Sequence, residues 1–317
     1  MTLDRIGLGC ANIAGLYAPV SPHLAREALD AAWASGIRRY DTAPFYGRGL
    51  SERRVGDFLR DKPKSNYTLS TKVGRRLLAE GGKAAVTGEP AEPLPFRVVF
   101  DYSYDGIMRS FEDSQQRLGL TEIDTLYVHD IGVFAHGDAA PAHFRALMDS
   151  GFKALDALKS SGAISAFGLG VNENEVCVDV LNRAPVDEIL LAGRYTLLDR
   201  TAERELLPLC LERGTRIVVG GIFNSGILAT GPEGEAWFNY EPASEDIRAR
   251  VRSIKAVCER HELSLAQAAL NFPLAHPAVK SILIGTHKSK TITRNLEAMG
   301  NALPQTLLDE IVPFALS

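Results

Sequence analysis

Cysteine is scarce in this chain of 317 residues: Cys10, Cys177, Cys210 and Cys258 lie far apart, with no Cys-x-x-Cys pair. That spacing excludes a disulfide scaffold and a cysteine-built zinc site, and it points to a reducing cytoplasm. Charge of one sign is not in excess either. The 35 Lys and Arg against 39 Asp and Glu give a formal net charge of -4, with no basic block to hold nucleic acid. No run is long and apolar enough to span a bilayer. The N-terminus, Met1-Thr2-Leu3-Asp4-Arg5, has no apolar core of the kind a secretory leader needs. His129, His136 and His143 are not spaced as a metal set, so no metal is expected. A last absence concerns fold: Gly7-Leu8-Gly9-Cys10-Ala11-Asn12 lacks the third glycine of the dinucleotide-binding turn of doubly wound sheets.

What is present is 45% hydrophobic residues, enough for a large core, arranged as a repeated alternation. Strand candidates fall at 6–10, 37–40, 67–71, 124–128, 163–168, 187–191, 215–219 and 279–284. Helix patterns follow them from about Pro22, with Leu24, Ala28, Leu29, Ala32 and Trp33 at helical spacing, and at 51–60, 103–118, 149–160, 173–183, 202–213, 245–261, 264–275, 288–298 and 304–315, with Ser21 and Ser51 as N-caps. Three connections are long. Residues 75–100 show no sustained period and read as an active-site flap, 130–148 read as a loop with His136 and His143 at the surface, and 220–226 are glycine-rich. Gly168-Leu169-Gly170-Val171-Asn172 reads as a turn. Eight strands, each followed by helix and with no linker between them, fit one α/β domain over 1–317, a (β/α)8 TIM barrel, better than a doubly wound sheet.

In such a barrel the strand tips share one mouth, where Asp41, Tyr46, Lys72 and His129 would meet. A free phenol titrates near roughly pH 10, too high for proton transfer at neutrality. An ammonium beside it favours the phenolate, which Lys72 can supply while Asp41 holds Lys72 in place. His129 can orient a substrate oxygen. Each residue alone has a plainer use, as a turn Asp, a packed Tyr, a solvated Lys or a strand-end His. Four complementary groups at successive strand tips point to proton transfer coupled to hydride transfer.

Asp41-Thr42-Ala43-Pro44-Phe45-Tyr46-Gly47 with Ser51-Glu52, then Ser70-Thr71-Lys72, then Tyr127-Val128-His129, resembles the aldo-keto reductases from about residue 3 to the end. The resemblance implies a barrel, an NAD(P)H cofactor and a catalytic role for Asp41, Tyr46, Lys72 and His129. A narrower likeness to the aldose 1-dehydrogenase branch rests on Phe100–Ser110, Phe167–Glu173 and Phe223–Leu228. That branch includes enzymes acting on L-fucose (D-threo-aldoses), L-galactose and pyridoxal. It implies oxidation of an aldose at C1 to the lactone, with Tyr46 as general base. The other readings are a pyridoxal 4-dehydrogenase, a general aldehyde or ketone reductase and, outside enzymes, a nucleotide-binding redox-sensing subunit.

The same resemblance implies cofactor contacts. Asn172 matches the asparagine that holds the nicotinamide carboxamide. The usual stacking aromatic falls near Gly220, so the stack is lost or comes from Phe223, in the loop that also carries Ser225 and Gly226. Gly285, Thr286 and Lys288 open the last helix of the barrel, where free N–H groups favour phosphate, and Asn295 matches an adenine contact. Thr291 falls where NADP-specific members carry an arginine, so NAD is expected to serve at least as well as NADP. Lys288, Lys290 and Arg294 leave NADP open. Asn12, Tyr17, Phe45 and Phe134 are placed at the mouth as contacts for a small substrate, a sugar or a pyridoxal-like ring.

Overall fold

The structure is a computed structural model, which describes residues 3–79, 93–300 and 302–317. Twelve strands are present among these residues: β1 Ile6–Gly9, β2 Arg39–Asp41, β3 Thr68–Val73, β4 Arg75–Ala79, β5 Phe96–Phe100, β6 Thr125–His129, β7 Ala166–Val171, β8 Glu188–Ala192, β9 Arg216–Gly220, β10 Trp237–Phe238, β11 Glu241–Pro242 and β12 Val279–Gly285. Eight of them close a parallel barrel in the order β1-β12-β9-β8-β7-β6-β3-β2, the eight that the sequence pattern picks out.

Helices follow the barrel strands. They are α1 Pro22–Ala34, α2 Leu50–Leu59, α3 Tyr104–Leu118, α4 Val133–His136, α5 Ala140–Ala146, α6 Phe152–Ser160, α7 Glu175–Leu181, α8 Leu206–Arg213, α9 Ile227–Thr230, α10 Glu245–Arg260, α11 Leu265–Asn271, α12 Ser289–Glu297 and α13 Gln305–Ile311. Ser21, Ser103, Ser244 and Ser264 each accept a hydrogen bond from the backbone N–H three residues on, capping α1, α3, α10 and α11. Such a cap contributes about 1 kcal/mol.

Strand periodicity places the chemistry. In β2, β3 and β6 the residues Tyr40, Leu69, Val73, Leu126 and Val128 pack outward into the shell between sheet and helices. The alternate residues therefore turn into the barrel, and at the strand ends these are Asp41, Lys72 and His129. The register aligns Asp41 with Ser70, Lys72 with Tyr127 and His129 with Gly170. A slip of one residue in any of these strands would turn its functional side chain out into the shell. Lower down, Tyr127, Leu190, Val218 and Leu283 fill the interior. Beneath them the Tyr127 hydroxyl donates to Glu188 Oε2 at 2.9 Å and Lys280 pairs with Glu188. The barrel is therefore a plugged cup open at one end. At Gly168 the sheet needs glycine outright, because a Cβ would stand 1.6 Å from the Glu188 carbonyl oxygen.

Four local expectations change. Gly49, not Ser51, precedes α2; Ser51 lies buried inside the helix and donates to the Cys10 carbonyl at 2.8 Å, bracing β1 against the loop after β2. The segment 75–100 begins and ends in the antiparallel pair β4–β5, whose five-residue arms are too short for a periodic signal, while 80–92 of the expected flap lie outside the described residues. The stretch 130–148 is largely helical, with α4 and α5, and its His136 and His143 are half-buried with rings 4.4 Å apart, not at the surface. Gly168–Val171 belongs to β7, where glycine permits close strand approach, and is not a turn.

Candidate active site

Asp41 ends β2 and is 2% exposed, so its carboxylate needs partners. Ser70 Oγ donates to Oδ1 at 2.8 Å and Lys72 Nζ donates to Oδ2 at 2.7 Å. Lys72, 1% exposed, donates a further bond to the Thr42 carbonyl at 2.9 Å, and its ammonium lies 4.6 Å from the centre of the Tyr46 ring. Burial pushes the Lys72 ammonium down, but Asp41 and the Tyr46 phenol outweigh it and hold the group above its ordinary value. Lys72 is therefore a permanent cation in the wall.

Tyr46 sits on the loop after β2, just past the turn that Pro44 and Phe45 open. Desolvation drives its phenol above the ordinary value; Lys72 pulls down and Asp41 pushes up. Lys72 lowers this pKa, as expected from the sequence, yet in the closed wall desolvation is the larger effect. His129 meets the Tyr46 ring edge-on at 5.9 Å. Burial, then Arg75 and Lys72, hold its imidazole well below the ordinary value, so it is neutral at physiological pH.

The loop carrying Tyr46 is braced from behind. Glu52, fully buried, accepts from Thr71 Oγ1 at 2.7 Å and pairs with Arg117, while Thr42 Oγ1 donates to Ser51 Oγ at 2.8 Å. Ser51 and Glu52 are thus scaffold for the loop, not chemistry.

Asp41 and Tyr46 face a cavity of about 360 Å³ at the barrel mouth. Of the expected contacts, Asn12, Tyr17, Gly220, Phe223, Ser225, Gly226, Gly285, Thr286, Thr291, Arg294 and Asn295 line it. The geometry suits an extended dinucleotide. Gly226, with φ +108, leaves open space where a side chain would stand, and the N-terminus of α12 adjoins Thr286 and Thr291 at the far end. Arg294 is the cation among the described lining residues.

Three expected contacts stand elsewhere. Phe134 is 54% exposed on α4, because the loop it was assigned to is helical and turns the ring to solvent. Lys288 precedes α12 with its side chain exposed, its N–H donating to Thr286 Oγ1 at 3.1 Å. Phe45 packs behind the wall, edge-on to His129 at 6.0 Å and under the Arg75 guanidinium at 4.5 Å.

Asn172 lies beside the cavity. Its carboxamide Nδ2 donates to Asp130 Oδ1 at 3.1 Å and its Oδ1 accepts from the Tyr240 hydroxyl at 3.3 Å. Tyr240 was not expected from sequence. It lies at the turn of the β10–β11 hairpin, with φ +66 after Asn239 at φ +50, and lines the cavity. Ser225 Oγ accepts from its N–H at 2.9 Å, and Arg194 ties the hairpin down through Asn239 at 3.1 Å and the Asn172 carbonyl at 2.8 Å. Arg75 and Asp130 also escaped sequence reading, although Asp130 directly follows His129. They form a buried pair at 2.6 Å next to the imidazole.

Residues 5–314 match the Aldo/keto reductase family. The chain is 48% identical to a pyridoxal 4-dehydrogenase of Microbacterium luteolum, over 96% of this chain and 92% of that protein. It is 36% identical to a D-threo-aldose 1-dehydrogenase of a Pseudomonas species, over 98% and 94% of the two chains. Among solved structures, an aldo-keto reductase of Bacillus halodurans in its holo form superposes with a TM-score of 0.76 at 25% identity, covering 98% of this chain and 92% of that one.

Proposed function

The chain belongs to the aldo/keto reductase family, and from that premise we propose that it oxidises a cyclic hemiacetal to a lactone, with the aromatic hemiacetal of pyridoxal preferred over an aldose. The observation that carries the reaction type is the Asp41–Lys72–Tyr46–His129 assembly, whose Asp41 and Tyr46 line the cavity with Lys72 and His129 packed against them. The Tyr46 phenolate accepts the hydroxyl proton of the hemiacetal as the C–O bond becomes C=O. Lys72 stabilises that phenolate, and Asp41 fixes Lys72. His129, neutral, hydrogen-bonds the substrate oxygen and orients its carbon. A nicotinamide dinucleotide, when bound, supplies the acceptor for the hydride that leaves that carbon.

Beside the cavity, Asn172 suits the carboxamide end; within it, the 220–226 loop suits the middle, and Thr286, Thr291, Arg294 and Asn295 the adenosine end. A single lining arginine with no partner fork favours NAD at least as well as NADP. The choice of pyridoxal rests on the aromatic edge formed by Tyr17, Phe223 and Tyr240, which suits a planar ring, and on the relative at 48% identity. An aldose is the second reading, favoured by the relative at 36% identity. The four cysteines are free and buried, as a reducing cytoplasm leaves them.

The test is NAD+ and NADP+ reduction at alkaline pH with pyridoxal, L-fucose, D-arabinose and L-galactose. Faster NADH formation with pyridoxal is expected. Formation with L-fucose or D-arabinose alone moves the enzyme to the aldose reading. Tight nucleotide binding with no turnover on any of them overturns both in favour of a redox-sensing subunit.

A further inference from the structure

A buried charge pair without an assigned part in the reaction lies one layer behind His129. Arg75, at the start of β4, is 6% exposed, and its Nη2 donates to Asp130 Oδ2 at 2.6 Å. That same oxygen lies 3.5 Å from His129 Nε2, while Asp130 Oδ1 accepts from Asn172 Nδ2 at 3.1 Å. One carboxylate therefore touches the imidazole on one side of the site and the carboxamide on the other. Asp130 adopts φ +39, a left-handed conformation that a non-glycine residue takes only when its surroundings hold it. The restraint is visible: Tyr102 Oη donates toward the His129 and Asp130 carbonyls, at 2.8 and 3.2 Å. Behind the pair, the Arg75 guanidinium packs over the Phe45 and Phe100 rings at 4.5 and 5.6 Å. A buried ion pair contributes little net stability compared with apolar packing, so its value here is sought in orientation.

We propose that the Arg75–Asp130 pair is a positioning device that fixes the imidazole of His129 and the carboxamide of Asn172 relative to each other through one shared carboxylate. The groups facing His129 are Tyr46 from the loop after β2, Lys72 from β3 with Asp41 behind it, Arg75 from β4, and Asp130 beside it. Burial does most to keep the imidazole neutral and the Arg75 charge adds to it, while Arg75 also offsets the burial that pushes the Asp130 carboxyl up. Without Arg75, an unmatched carboxylate beside Nε2 favours the imidazolium.

Two readouts separate positioning from mere structural support. In full-length protein with labelled histidine and no ligand, the His129 signal, assigned by its loss in His129→Gln, is expected not to titrate between about pH 5.5 and 8.5. In Arg75→Met its titration is expected to move to higher pH than in the wild type, as followed by a titration extended below about pH 5.5. In Asp130→Asn, nearly isosteric and chosen in case Arg75→Met does not fold, kcat is expected to fall about tenfold or more while the cofactor KM rises several-fold. Asp130→Glu should recover part of the loss. A folded Asp130→Asn with kcat and cofactor KM both within about twofold of wild type overturns the proposal. So does a folded Arg75→Met in which the His129 titration does not move. The kinetic arm rests on the hemiacetal reading, but the titration uses no substrate, so a wrong substrate and a wrong role for the pair give different results.

Discussion

One wall of the cavity is Asp41 and Tyr46, backed by Lys72 from β3 and His129 from β6 in a cluster of ionisable side chains, whereas the wall on β9 and β12 is made of glycines, small polar residues, a few apolar side chains such as Phe223, and one arginine. On the first wall Asp41, Lys72 and His129 are each at most 5% exposed, and every one stays there through a specific partner. On the second, backbone conformation does the shaping: Asn224, Ser225 and Gly226 have φ of 44, 59 and 108, and Asn224 locks the loop by bonding Thr196 at 2.5 Å and the Gly193 carbonyl at 3.1 Å. The difference follows from what each wall must do. Proton transfer needs charges held in low dielectric at fixed distances, while a dinucleotide needs room, N–H donors and a surface to lie on. If the division is right, substitutions on the first wall should act on turnover and those on the second on cofactor affinity.

The sharpest break comes from Tyr46→Phe, which removes one oxygen. Turnover should fall by about 10² to 10⁴, the range general acid–base groups contribute, while cofactor affinity by fluorescence titration stays within about twofold. Parallel loss of both would erase the distinction between the walls. Lys72→Met comes next, with a loss of about a hundredfold. In the wild type the phenol stands above its ordinary value, so the phenolate fraction, and with it the oxidation rate, rises with pH across neutrality. Removing the ammonium raises that pKa further, so the rising limb of the pH–rate profile should move to higher pH. The same variant strands Asp41 in the wall, and a thermal melt should register the roughly 3–5 kcal/mol that a broken buried pair costs. An unmoved pH profile would deny Lys72 its part in tuning the phenol.

Smaller effects belong to the second wall. Tyr240→Ala removes the hairpin aromatic and its bond to Asn172, and should raise the KM for both pyridoxal and cofactor about tenfold with kcat changed by less than about threefold. Tyr240→Phe, losing only the hydroxyl, should cost a few-fold at most. Arg294→Ala should be the mildest: NAD kinetics within about twofold, and NADP use reduced a few-fold where the 2′-phosphate loses its cation. Equal losses with both cofactors would remove Arg294 from that end of the cavity.

The same contrast explains what could be read without coordinates. The barrel was legible because its eight strands carry outward apolar residues such as Tyr40, Leu69 and Leu126 at a spacing of two, and the quartet was legible because inward positions at strand ends carried charge where packing has no use for it. The second wall was readable only through residues matched to family positions, and Lys288 shows the limit of that: next to the right turn, it faces away. Phe134 was misplaced because α4 is one turn long and leaves no helical period to detect. Tyr240 stayed hidden because strands of two residues carry no alternation. Arg75 stayed hidden because its arm of the hairpin spans five residues and its partner, Asp130, lies 55 positions away. Pairings over such separations are set by the closed sheet, not by local pattern.

The central claim, that Tyr46 takes a proton from a cyclic hemiacetal while its carbon gives up hydride, is tested most directly by product analysis with pyridoxal and NAD+. One lactone is expected per NADH formed, identified before any ring-opened acid accumulates. Consumption of NADPH with a primary alcohol as product, and no lactone under any condition, would contradict it.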